Sequence, residues 1–173
     1  MISRRFLLSF PIFVAVHLLQ EGFVTQMRLP AGGFSFILIF TLVWASMSTP
    51  EIGALTGFGA GLLMDLSETA SGPLGHWTLV LILVSFVVSF LSYGDDHVRA
   101  NPLNIVFLVV AGVVGAQIAF ALFGLLLGQE LGSVLQVLFI CLGTAFWSAI
   151  VTPLLLPMIS RLHALVFGTV SRI

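Results

Sequence analysis

Leu79-Val80-Leu81-Ile82-Leu83-Val84-Ser85-Phe86-Val87-Val88-Ser89-Phe90-Leu91 decides how this chain folds. Eleven of these residues are Leu, Ile, Val or Phe, and none is charged. Such residues favour bilayer insertion by about 0.3 to 0.6 kcal/mol each at a helix centre, so the run supplies at most about 3 to 7 kcal/mol. Extended to 76–93, the stretch approaches the roughly 20 apolar residues that a helix needs to cross a bilayer.

Five other segments come near the same length, so the expected spans are 6–24, 31–48, 51–67, 76–93, 102–127 and 134–157. The third is the weakest, being Gly-rich and bracketed by Glu51 and Asp65. It is expected in the interior of the bundle, where neighbouring helices shelter it. An alternative makes the second and third segments one re-entrant hairpin. Pro30, Pro50, Pro73 and Pro102 fall in the connections, where a missing backbone donor is harmless. Pro11, Pro153 and Pro157 fall inside helices, which tolerate them when neighbours satisfy the freed carbonyls.

Composition agrees with this reading. The chain has 173 residues, of which 59% are hydrophobic and 8% charged; a water-facing domain carries about 25% charged residues. Six arginines, no lysine and seven acids cannot coat a solvent shell, and the net charge of -1 leaves no basic footprint for nucleic acid. Cys141 is the only cysteine, which excludes an intrachain disulfide and a cysteine metal cluster. Ser3-Arg4-Arg5-Phe6-Leu7-Leu8 resembles a twin-arginine export signal, but no small-x-small site follows Leu19, so the first helix is expected to be retained. The fold class expected is therefore an all-α integral membrane protein, a bundle of six transmembrane helices in a single domain.

With six spans the two termini share a side. That side holds Arg4, Arg5, Arg99, Arg161 and Arg172 and the other only Arg28, which by the positive-inside rule puts both termini in the cytoplasm. Trp44, Trp77 and Tyr93 near segment ends fit an aromatic belt at the membrane surface.

Gly53, Gly57 and Gly61 stand four apart and form a stripe along which another helix can approach closely. Ala111, Gly115 and Ala119 form a second. Each stripe can serve packing within the chain or contact with a partner. Thr78, Ser85, Ser89 and Ser92 share one face of the fourth segment, as Thr144, Ser148 and Thr152 do on the sixth. These read as helix seams, with a polar conduit as the sharper alternative. His17, Gln20, Glu21, Asp65, Glu68 and His76 lie at the outer level of this topology and are candidates for an outward polar pocket. The His-Glu-x-x-His spacing of a helical zinc site is missing, so no metal is expected. No Gly-x-Ser-x-Gly elbow or phosphate loop occurs, so neither catalysis nor a cofactor is expected.

Pro50-Glu51, the Gly-rich helix, Gly61-Leu62-Leu63-Met64-Asp65-Leu66, the short loop to Gly72-Pro73-Leu74-Gly75-His76 and the apolar helix beyond resemble the rod shape-determining protein MreD family. Thr152-Pro153-Leu154 and Pro157 before Arg161 are similar to that family's end. The resemblance covers nearly the whole chain in helix order and is sharpest over 50–91. It implies a six-helix fold similar to the substrate-binding subunits of energy-coupling-factor transporters, and a non-enzymatic subunit of the cell-elongation machinery in the bacterial cytoplasmic membrane. Implied partners are a bitopic MreC-like protein, the glycosyltransferase and transpeptidase that extend peptidoglycan, and an MreB-like filament. Asp65, Pro73 and Gly75 would carry over as a shaping motif. The alternative function is a vitamin-type small-molecule binding subunit of a transporter.

Overall fold

Prolines and glycines set most of the helix ends. The computed structural model describes residues 2–24, 26, 32–67, 72–94, 101–129 and 132–168. In chain order the elements are α1 (Ile2–Leu19), a π-helical turn (Gln20–Val24), α2 (Phe36–Ser46), α3 (Pro50–Asp65), α4 (His76–Tyr93), α5 (Pro102–Leu126) and α6 (Val134–Phe167). Among the described residues there is no strand. Pro50 and Pro102 occupy the first turn of their helices, where the missing N–H costs nothing. Asn101 caps α5 by accepting from the Leu103 amide at 3.0 Å.

Three helices depart from the expected bounds; the first, expected over 6–24, is α-helical from Ile2 to Leu19 and π-helical over Gln20–Val24. The segment expected over 31–48 is helical only from Phe36 to Ser46. Gly32 and Gly33 have φ of 85° and 62°, the left-handed region that glycine enters freely, and they delay the helix. Ser35 then caps it, its hydroxyl accepting from the Leu38 amide. At the far end Thr49 is extended, as a residue before proline prefers. The segment expected to end at 157 instead continues to Phe167. Pro153 and Pro157 lie on through it, and the stop comes at Gly168, whose φ of 68° and bond to the Ala164 carbonyl close the helix.

The core is built around α2. Ten of its eleven residues are buried, and all five other helices touch it. Phe13 of α1 meets Phe40 edge-on at 5.2 Å, and Phe40 stacks on Trp44 at 5.7 Å. Trp44, expected in a surface belt, is instead fully buried. Its ring is enclosed by Phe13, Phe40, His163 and Phe167.

Helices α4, α5 and α6 are long and apolar enough to cross a membrane, while Ser9–Val24 and Phe36–Ser46 are apolar but shorter. The three long helices carry rows of exposed large apolar residues, such as Phe86 and Phe90, Phe107 and Leu122, Leu135 and Leu154. A continuous apolar exterior of this kind is the surface that a membrane protein turns to lipid.

Candidate functional site

The closest helix pair is α3 against α4, and glycine makes it possible. A Cβ added at Gly53 would collide with Ser89 Oγ, at Gly57 with the Leu81 carbonyl oxygen, and at Gly61 with Thr78 Cα. The stripe of three glycines is thus a furrow that holds the α4 backbone. Just past it Asp65 ends α3, buried to 7% exposure.

The Asp65 carboxylate accepts four hydrogen bonds from the start of α4. They come from the amides of Gly75 (3.0 Å), Trp77 (3.0 Å) and Thr78 (2.9 Å), and from the Thr78 hydroxyl (2.6 Å). The first amides of a helix lack intrahelical partners and carry its positive dipole end. Gly75 stands at the cap position with no side chain to satisfy them. Asp65 therefore caps α4 from another helix. Gly75 also has φ of 93°, a turn conformation suited to glycine, and the Pro73 carbonyl accepts from the His76 amide.

His76 follows at once and is buried. Its Nε2 lies 3.0 Å from the Phe120 carbonyl of α5; a carbonyl only accepts, so Nε2 carries the proton. The imidazole stacks on the Phe120 ring at 4.0 Å, and Trp77 stacks on the same ring at 4.4 Å. His76 Nδ1 is buried with no hydrogen-bond partner.

Two of the remaining polar candidates make similar joints. Gln20, in the π-helical turn, accepts from the Phe36 amide at the start of α2. Glu21 accepts from the Ser67 hydroxyl beyond α3. His17 is half-buried, and its Nδ1 has no partner. Glu68 lies outside the described residues. Among the described residues no group of three or more His, Cys, Asp or Glu is placed to hold a metal ion.

The second stripe behaves differently from the first. Ala111 is exposed, a Cβ at Gly115 would meet nothing within 4 Å, and Ala119 sits at the margin of the core. The close contact on α5 falls one residue along, at Gly112, where a Cβ would meet Val88 of α4 at 2.9 Å and Leu42 of α2 at 3.1 Å. Val113 and Ala116 continue that buried face. Intramolecular packing thus runs along Gly112 and Ala116, and the ridge from Ala111 to Gly115 stays open.

The hydroxyl rows lie inside the seams. Ser89 donates to the Ala45 carbonyl of α2 at 2.7 Å and Ser92 to the Ser89 carbonyl. Thr144 and Thr152 bond back to Ile140 and Ser148 of their own helix. The Ser85 and Ser148 hydroxyls are buried with no hydrogen-bond partner.

One junction escaped sequence reasoning. Ser48 donates to the Trp44 carbonyl at 2.8 Å and lies 3.1 Å from His163 Nε2. With its single proton so used, the Ser48 oxygen accepts from the histidine. His163 meets Trp44 edge-on at 5.0 Å and stacks on Phe167 at 4.5 Å. The final turns of α6 are thereby fixed to the end of α2. Gly168 was the one local signal that the helix reaches so far.

Comparison with family models, with curated proteins and with solved structures finds no match for this chain.

Proposed function

We propose that the chain is a non-enzymatic scaffold subunit of the bacterial cell-elongation complex, which maintains rod shape by organising peptidoglycan synthesis. The observation that carries this reading is the disposition of polar groups. Asp65, Gln20, Glu21 and His76 each bond to another part of the chain, while the Ala111–Gly115 ridge of α5 is open to a neighbour. The furrowed α3–α4 pair also coincides with residues 50–91, where the resemblance to the MreD family is sharpest.

In this reading all six helices cross the bacterial cytoplasmic membrane with both termini in the cytoplasm, in a fold similar to that of energy-coupling-factor substrate-binding subunits. The shortness of α2 is compatible with that. Its eleven residues rise only about 16 Å, against about 30 Å of hydrocarbon. Non-helical backbone is tolerated at membrane depth where protein surrounds it, and α2 is enclosed by five helices. The open ridge receives a helix of an MreC-like bitopic protein, since association in lipid relies on close packing of small residues. The peptidoglycan glycosyltransferase and transpeptidase and an MreB-like filament complete the assembly.

Depletion in a rod-shaped host, combined with purification from native membranes in mild detergent, tests the proposal. Rounded cells and copurification of a bitopic protein are expected. Vitamin auxotrophy with normal shape, and copurification of an ATPase module, would overturn it in favour of a small-molecule binding subunit.

A further inference from the structure

We draw no further inference here: the strongest candidate, the continuous apolar face that α6 turns outward between Leu135 and Leu154, carries none because nothing in the structure shows what covers it.

Discussion

Helices α2 and α6 are built from the same kinds of residue and meet opposite surroundings. In α2, Leu38 and Leu42 are 1% and 0% exposed; in α6, Leu135 and Leu154 are 81% and 77% exposed. Ten of eleven α2 residues are buried, but only six of the 34 in α6, and those six include Thr144, Ser148, Thr152 and His163. The apolar helix α2 is surrounded by protein, and α6 turns its apolar residues outward while its hydroxyls line the seam. In water this arrangement would be inside out. In lipid it is consistent, because acyl chains are as apolar as leucine and give it no reason to be inside. What distinguishes the protein interior is closeness of packing.

The contrast can be broken most severely at Trp44. Trp44→Ala removes the side chain around which four aromatic rings pack, and losses of about 3–5 kcal/mol follow such truncations. Unfolding in detergent should show it, and a variant as stable as the parent would mean that α2 is not the core. Gly57→Leu comes next. Overpacking typically costs about 1–3 kcal/mol, and here the new side chain meets the α4 backbone, so a value at the upper end is expected from the same measurement.

Asp65→Asn keeps the shape of the carboxylate but replaces one acceptor oxygen by a donor and removes the charge. Hydrogen bonds to charged groups contribute about 1.5–3 kcal/mol, and with some acceptors retained a loss of about 1–2 kcal/mol is expected. Faster amide exchange at the first turn of α4 would accompany it; unchanged exchange there would deny Asp65 its capping role. Leu135→Ala should have the smallest effect, below about 1 kcal/mol, because it leaves no cavity in the protein. A loss comparable to that of Trp44→Ala would show that protein covers the start of α6.

Cys141 sharpens the comparison without perturbing stability. It is half-buried, seven residues into α6 and about 10 Å from the start of the helix. A membrane-impermeant thiol reagent should leave it unlabelled in intact cells and label it after denaturation. Labelling in intact cells would place the first turns of α6 in water.

The legible parts of this fold were those encoded locally. The run from Leu79 to Leu91 announces α4, and the Gly53-Gly57-Gly61 spacing marks a face fit for close approach. The environment of α2 was illegible because apolar residues surround it on every side, and nothing in its sequence separates lipid from protein. On α5 small residues occupy two adjacent faces, Ala111 with Gly115 and Gly112 with Ala116, and spacing alone does not choose between them. Ser48 and His163 are 115 positions apart, so no local pattern joins them. The acids and histidines at the α3–α4 end stood out by their rarity. Their roles depended on which backbone amides lay opposite, and that is a property of the assembled bundle.

The pairing of α3 with α4 also has a consequence for biogenesis. In the proposed six-span topology, a nascent chain that has released only α3 presents lipid with a glycine-furrowed face and a carboxylate lacking its donors, in a segment that is poorly apolar to begin with. The Leu81 and Ser89 region that fills the furrow, and the amides that receive Asp65, arrive only when α4 has been synthesised. If α3 crosses the bilayer as proposed, the strongly apolar α4 brings it in, and the two enter as a hairpin. On that reading the unit of membrane insertion in this stretch is a pair of helices whose second member makes the first soluble in lipid.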